Sequence, residues 1–323
     1  MGQNTTIACH LNRLSPGNAR RAGTLLFIPI RKRGAETKPA YGIFDGTFET
    51  AAFITEVSEA GSVQQLLVDN RSPIPLFLLD GQQLRGAKQN RVVNADVLVP
   101  AGTKLVVPVS CVESKRWRYD THLFHPEGTA SNRIRAGKSS RVHRSLSTKG
   151  THDADQHAVW ADVELTLTAA AAVGSSPTRA LSDAYSLRDE ELRKVRESVL
   201  VTEDAVGLAV FKAGKFLGLD VFDCHSTLRR FWNWLVDSYA VDHAVIEHNG
   251  DVPVMGSKRT SPAVPAKWAV NRILRLASVG NWNCFPTPGY GEDLRLEDRT
   301  LSGAALNWVG HDVIHLQLFA RKL

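Results

Sequence analysis

Six short apolar runs, each bounded by Gly, Pro, Asn or Asp, occupy much of the first 113 residues and constrain the fold strongly. Short runs rich in Val, Ile, Phe and Tyr between turn-forming residues are typical of β-strands. Their close spacing predicts a meander or a sandwich-like sheet. The runs are residues 24–30, 41–45, 64–70, 74–80, 95–100 and 104–113.

Helical patterns follow this strand-rich part. Residues 153–172 and 186–201 have helical composition and spacing, and residues 226–240 place their apolar side chains on one helix face. Residues 205–223 consist of two apolar runs around KAGK, which predicts a β-hairpin. Residues 291–320 end in strands.

Strands, then helices, then strands again favour an α+β fold over a doubly wound sheet. We interpret residues 1–20 as an N-terminal extension and residues 21–323 as a single composite domain. Within that domain, residues 21–120 are β-rich and residues 126–150 form a basic loop. Residues 151–323 combine helices, a hairpin and C-terminal strands.

Composition and cysteine spacing favour a cytoplasmic protein. The chain is 43% hydrophobic and 22% charged, which is ordinary for a globular protein. Its four cysteines lie far apart without a CxxC pair, which excludes a disulfide scaffold and a zinc ribbon and indicates reduced thiols. Since no apolar run approaches the ~20 residues that span a bilayer, we expect no membrane partner.

The charge of the chain points to anionic partners. The formal net charge is +6 and the isoelectric point is about 9.2, which favours nucleotides or nucleic acid. Residues 131–150 are rich in Lys and Arg and contain no acid. We interpret this segment either as a solvated flexible loop or as a cationic surface for a phosphate-rich ligand, including nucleic acid.

The stretch LRGAKQNRVVN, residues 84–94, places polar and cationic side chains between two predicted core strands. Gly86 allows a positive φ angle or the close approach of a ligand. Lys88 and Arg91 supply cationic donors that suit a phosphate. Gln89 and Asn90 have both donors and acceptors, which suits the edge of a base or sugar. The alternative is a polar hairpin end without a ligand.

Two residues after the next predicted strand extend this candidate site. Glu113 follows the apolar run, and Trp117 offers a stacking face among the cations Lys115, Arg116 and Arg118. A second alternative is that Arg91 is buried in an internal ion pair with Glu113, so that the motif specifies the fold.

Known metal, cofactor and nucleophile motifs are missing from the sequence. It contains no HExxH, GxGxxG, GxxxxGK[ST] or GxSxG pattern. His311 and His315 lie in an alternating strand-like run, where i, i+4 spacing separates them by about 13 Å, too far to share a metal ion. We therefore predict no metal site and no cofactor.

The run LDGQQLRGAKQNRVVNADVLVPAGTKLVVPVSCVESKRW, residues 79–117, resembles the core motif of a bacterial domain family. The name of that family records association with ADP-ribosylglycohydrolases and rhodanese-phosphatase proteins. Weaker similarity at residues 156–160, 206–222, 238–242 and 313–319 extends the resemblance over about residues 20–320. The resemblance implies a setting among genes that handle nucleotides and ADP-ribose, often in bacterial conflict systems. By position it singles out Gly86, Lys88, Gln89, Asn90, Arg91, Glu113, Trp117 and His315.

Our leading hypothesis is a nucleotide-directed hydrolase, specifically a metal-independent phosphodiesterase. Lys88 and Arg91 would stabilise the phosphorane, His315 or Glu113 would transfer protons, and Gln89 and Asn90 would position the sugar or base. A cyclic oligoadenylate signal of antiviral defence is a candidate substrate.

Two other functions remain open. The chain could bind ADP-ribose or another nucleotide without turnover, or it could be a nucleic-acid scaffold that uses the basic segment. Whether it forms a homodimer is also left open by the sequence.

Overall fold

Strands and helices alternate unevenly along the chain. The computed structural model describes residues 3–34, 38–48, 50–243 and 263–321. The helices are α1 (Gln3–Leu11), α2 (Asn132–Lys149), α3 (Gln156–Ala169), α4 (Leu181–Leu187), α5 (Asp189–Ser198), α6 (His225–Ala240) and α7 (Ala263–Ser278), with a short 3-10 turn at Val173–Ser175. The strands are β1 (Leu14–Pro16), β2 (Arg20–Ala22), β3 (Leu25–Lys32), β4 (Gly42–Ile43), β5 (Ala52–Glu56), β6 (Gln65–Asn70), β7 (Leu76–Leu78), β8 (Gln82–Gly86), β9 (Arg91–Val93), β10 (Val97–Val99), β11 (Thr103–Cys111), β12 (Phe124–Thr129), β13 (Ala205–Lys212), β14 (Lys215–Phe222), β15 (Trp282–Pro286), β16 (Glu292–Glu297), β17 (Leu301–Asn307) and β18 (Val313–Ala320).

The strands form three sheets. A nine-stranded sheet has the order β1-β3-β13-β14-β18-β17-β16-β15, with β2 paired to β3. A six-stranded sheet has the order β12-β8-β9-β11-β6-β5, and a three-stranded sheet has the order β10-β7-β4. Neighbouring strands are antiparallel except for β4 and β7. This mixture confirms the predicted α+β class.

The two faces of the nine-stranded sheet pack against different helices. One face meets α1 and α7, with Ile7 and Val270 in the same apolar cluster as Leu316 and Leu318 of β18. The apolar cluster that contains Leu208 of β13 instead draws on α2 to α6. Residues 205–222 form the predicted hairpin, and α6 confirms the helix predicted at 226–240.

The basic segment is a helix, so its interpretation as a loop was wrong. The Ser131 hydroxyl caps the start of α2 by accepting the backbone N–H of Ile134, and Gly150 ends the helix with a left-handed φ of 67°. Two of its cations are inside the protein, with Arg135 1% exposed and Lys138 fully buried. They tolerate burial because carboxylates from distant parts of the chain pair with them, Asp220 of β14 with Arg135 and Asp80 of the turn between β7 and β8 with Lys138.

Residues assigned to the N-terminal extension pack into the same structure. Ile7 and Leu11 of α1 are buried in a core cluster, and β1 pairs with β3 in the nine-stranded sheet. None of the described helices is both long enough and apolar enough to cross a membrane.

Candidate functional site

The motif residues 84–94 form most of a hairpin between β8 and β9. Gly86 has a φ of 134°, and a Cβ atom at this position would lie 2.4 Å from the backbone oxygen of Leu123. Only glycine tolerates this combination without strain. Ala87 follows with a φ of 40°, which turns the chain towards β9. Gly86 therefore serves close backbone approach within the protein, rather than the approach of a ligand.

Arg91 points into the protein. It is 0% exposed, and its guanidinium donates to Glu56 at 3.3 Å and to the backbone oxygens of Gln89 at 2.8 Å and Ser62 at 3.2 Å. The expectation that Arg91 forks onto a phosphate does not agree with this burial. The alternative of a buried ion pair agrees with it, although the partner is Glu56 and not Glu113.

Lys88 lies at the surface beside two exposed aromatic rings. Its ammonium group donates to the backbone oxygens of Glu59 and Ala60 and lies 5.6 Å from the ring centre of Trp117 and 5.2 Å from that of Tyr119. Trp117 is 48% exposed. The result is an aromatic surface with a cation beside it, which suits a stacked base.

Asn90 and Glu113 are in contact, and Gln89 is buried. The carboxylate of Glu113 accepts the backbone N–H of Asn90 at 3.0 Å and two bonds from Arg116 at 2.9 and 2.7 Å. Burial alone would raise the pKa of Glu113, but the bonds from Arg116 and Asn90 hold this pKa below its usual value. Glu113 is thus an ionised anchor for Arg116.

A polar cleft opens next to Asn90 and Glu113. It has two adjoining parts of about 190 and 390 Å³, and both are lined by Ser182 and Ser186 of α4. We call this space the polar cleft. Its smaller part is lined by Arg85, Asn90, Glu113, Arg116, Asp120 and Asp183, and its larger part by Gln83, Glu127, Tyr185, Asp189, Arg196 and Asp237.

Two carboxylates in the larger part have raised pKa values. Burial raises the pKa of Asp237 to about 6, although Arg196 opposes the shift from 2.7 Å away. Burial also raises the pKa of Glu127, with Arg85 opposing and with Asp183 and Glu113 adding repulsion. Carboxylates with pKa values moved towards neutrality are suited to proton transfer.

Arg85 is the accessible cation of the polar cleft. One of its nitrogens donates to Glu127 at 3.2 Å, and its side chain is 62% exposed, so other donors remain available. Arg116, by contrast, uses its donors on Glu113, Asn90 and three backbone oxygens. Six carboxylates against three guanidinium groups line the cleft as a whole.

His315 is buried on β18 and contacts a different set of residues from those that line the polar cleft. Its Nδ1 lies 2.8 Å from Asp96 and its Nε2 lies 3.2 Å from Asp220, and it is fully buried. Burial would lower the pKa of His315, but the two carboxylates outweigh burial and raise the pKa to about 9. A permanently charged, enclosed imidazolium is poorly suited to the proton transfer expected of it.

His315 belongs to an extended network of paired charges beneath α2. Asp220 also pairs with Arg135, Asp80 pairs with Lys138, and Gln317 joins the two by bonding Arg135 at 3.0 Å and Asp80 at 2.6 Å. Although burial opposes it, Arg135 and His315 lower the pKa of Asp220 to about 2. We call this the buried charge network, and its members are Asp80, Asp96, Arg135, Lys138, Asp220, Asp293, Arg295, His315 and Gln317.

Comparison with known proteins identifies the family of the chain. The profile of the ARG and Rhodanese-Phosphatase-superfamily-associated Protein domain matches residues 13–319, nearly the whole chain. The chain belongs to this family. No curated protein and no solved structure matched it significantly. The family name refers to associated proteins and assigns no activity to the domain itself.

The family motif therefore divides between scaffold and cleft. Asn90 and Glu113 line the cleft, Lys88 and Trp117 form the aromatic surface nearby, and Arg91 is internal. The sequence does not distinguish Arg85 from an ordinary surface cation, because its access to the cleft depends on how β8 is placed in the fold. Sequence reasoning missed Glu127 and Asp237 because their significance depends on burial, which single residues in a predicted loop and helix do not reveal.

Among the described residues, no group of three or more His, Cys, Asp or Glu side chains lies close enough to hold a metal ion.

Proposed function

We propose that the polar cleft cleaves a phosphodiester bond of a nucleotide by general acid–base catalysis with the carboxyl groups of Glu127 and Asp237. The observation that carries this proposal is the pair of raised carboxyl pKa values in one cleft of about 390 Å³, each beside an arginine. A cavity of this size suits a small ligand.

The chemistry assigns opposite roles to the two carboxyl groups. Asp237, with a pKa of about 6, is ionised at neutral pH and accepts the proton of an attacking 2′-hydroxyl. The 2′-oxygen then forms a bond to phosphorus as the bond from phosphorus to the 5′-oxygen breaks. The leaving 5′-oxygen takes up a proton in the same step, for which Glu127 in its protonated form is the second carboxyl group of the cleft, and the products are a 2′,3′-cyclic phosphate and a free 5′-hydroxyl. Arg85 and Arg196 would stabilise the charge that develops on the phosphorane.

Recognition of a nucleotide is supported by the neighbouring aromatic surface. Along the sequence, Trp117 lies between Arg116 and Asp120, and both of these residues line the smaller part of the polar cleft. A base stacked on Trp117 or Tyr119 would lie beside the ammonium of Lys88. Four free cysteines are compatible with a reducing cytoplasm.

One observation favours a second candidate reaction. The excess of carboxylates over guanidinium groups in the cleft disfavours a highly charged phosphate and favours a sugar. Hydrolysis of a glycosidic bond to ribose also uses two carboxyl groups, one as acid and one as base or nucleophile. A nucleoside, or a conjugate in which ADP-ribose is attached through its ribose, would be the substrate of this second reaction.

The test is mass spectrometry of the protein incubated with ADP-ribose, NAD, cyclic dinucleotides, cyclic oligoadenylates and short RNA, each with and without chelator. Cyclic-phosphate products support the phosphodiesterase, whereas a free base or free ribose supports glycosidic cleavage. For whichever substrate is consumed, we expect Glu127→Gln and Asp237→Asn each to lower kcat by about 10²–10⁴-fold.

Glu203→Gln is the matched control, because Glu203 is exposed and makes no hydrogen bond or ion pair with any described residue. Wild-type rates in both cleft variants would refute the assignment of the two carboxyl groups. Recovery of every compound intact, with one of them bound, would instead identify a binding module without turnover.

A further inference from the structure

A second cavity, of about 620 Å³, lies between α2 and the strands β14, β17 and β18. Its volume exceeds that of either part of the polar cleft, and it shares no lining residue with them. Gly137 keeps its wall open, because a Cβ atom there would lie 2.8 Å from Arg141 and 2.9 Å from Asp162. We call it the α2 cavity.

Three cations line the α2 cavity. Arg133 and Arg321 each have a carboxylate partner, Asp242 at 3.7 Å and Glu297 at 3.1 Å. Lys215, at the start of β14, makes no ion pair within the part of the chain that the structure describes. Its ammonium group is therefore available to a phosphate, with the two arginines nearby adding positive potential.

A buried amide also lines the α2 cavity. Asn132 is 7% exposed, and its Oδ1 has no hydrogen-bond donor among the described residues. A buried acceptor without a donor is costly, and a ligand hydroxyl or amino group would satisfy it. Leu217, which packs on the α2 side of the sheet, adds an apolar patch to the wall.

We propose that the α2 cavity is a second ligand site, specific for a nucleoside monophosphate. Lys215 binds the phosphate, Asn132 accepts a hydrogen bond from the sugar or base, and the base packs against Leu217. A volume of about 620 Å³ is within the range of small-ligand sites. This site is independent of the hydrolytic reaction in the polar cleft.

The first experiment is calorimetric titration of the full chain with AMP, adenosine, ribose 5-phosphate and inorganic phosphate. We use the Glu127→Gln protein, so that turnover in the polar cleft does not complicate the titration. AMP should bind with a Kd below about 1 mM, and each of the three fragments should bind at least about tenfold more weakly. Equal binding of AMP and adenosine, or no binding of AMP, would overturn the proposal.

Variants then test the location of the bound AMP. Lys215→Gln should weaken AMP binding by about tenfold to a hundredfold, because it removes a charge-assisted bond. Ala136→Leu should abolish binding, because it fills the cavity with a side chain that a helix accommodates well. Lys149→Gln, at the exposed end of the same helix, should leave the affinity unchanged. Unchanged AMP affinity in Ala136→Leu would contradict the site.

Photo-crosslinking distinguishes this site from the polar cleft directly. With 8-azido-AMP, the labelled peptides should contain residues 132–140 or 215–217. Labelling confined to peptides around Trp117 would refute the α2 cavity as the AMP site while leaving the proposed hydrolase intact. Labelling of the α2 cavity in a protein that hydrolyses nothing would support this inference and refute the proposed reaction.

Discussion

The buried charge network and the polar cleft contain the same kinds of side chain but differ in access to solvent. In the network, Arg135, Lys138 and His315 are enclosed and each lies against a carboxylate. In the cleft, Arg85 is 62% exposed, and two carboxyl groups keep raised pKa values. Enclosed, paired charges stabilise the packing of α2 against the strands beneath it. Accessible carboxyl groups with shifted pKa values are instead available for chemistry.

The strongest test of this contrast is substitution within α2. Arg135→Met leaves Asp220 buried with a weakened set of partners, so we expect a loss of about 3–5 kcal/mol in the free energy of unfolding. Arg144→Met, at an exposed position of the same helix, should change it by less than about 0.5 kcal/mol. Urea denaturation measures both values, and similar small losses would mean that α2 contributes only surface charge.

The pH dependence of stability sharpens the contrast at His315. Its folded pKa of about 9 lies above the unfolded value of about 6.5, so the folded state binds the proton more tightly. This tighter proton binding by His315 stabilises the folded protein by a total on the order of 3 kcal/mol below the unfolded pKa. The stabilisation is lost as the pH rises through about 9.

His315→Gln removes this titration, and Asp96 and Asp220 are the carboxylates that face it. Between about pH 6 and pH 10, the unfolding free energy of the wild-type protein should therefore fall more steeply than that of the variant. Parallel curves from denaturation at each pH would mean that His315 is neutral in the folded protein.

Two glutamates of the cleft should respond to amide substitution with opposite effects on stability. Glu113 has a lowered pKa and anchors Arg116, so Glu113→Gln should cost about 1–3 kcal/mol at neutral pH. Glu127 has a raised pKa, which means that its ionised form opposes folding at neutral pH. Glu127→Gln should therefore cost no stability while it abolishes most activity. A large loss of stability in Glu127→Gln would make Glu127 a structural residue like Glu113.

Local patterns in the sequence predicted the individual elements well. Alternation predicts a strand with Ile314, Leu316 and Leu318 on one face and His315 and Gln317 on the other. The strand is confirmed as β18, and Leu316 and Leu318 share one apolar cluster while His315 and Gln317 contact carboxylates, but Ile314 lies in the other apolar cluster. The hairpin at 205–222 and the helix α6 follow from turn residues and from helical periodicity in the same way. Such elements are determined by short-range pattern, so a single sequence suffices.

The role of each charged residue could not be predicted in the same way. Arg135 and Lys138 look like surface cations in the sequence, because their partners Asp220 and Asp80 are 85 and 58 residues away. Arg91 likewise finds Glu56 on β5, a strand that the sequence analysis did not predict. Motif resemblance located the region of the cleft, but pairing between distant residues decided which motif residues are exposed.

A smaller loss of stability than that of Glu113→Gln is expected at Lys88, which lies beside the exposed aromatic rings of Trp117 and Tyr119. Lys88→Met removes a cation from beside Trp117 and Tyr119 and two bonds to backbone oxygens. At an exposed site this should lower the free energy of unfolding by only about 0.5–1 kcal/mol. If Lys88 instead binds the substrate beside a stacked base, the affinity for that nucleotide should fall by about tenfold. Lys115→Met, two positions before Trp117, is the matched control for charge. A loss of stability comparable to that of Arg135→Met, with unchanged affinity for the nucleotide, would mean that Lys88 stabilises the fold and does not bind the substrate. Arg85 would then be the principal cation for the substrate.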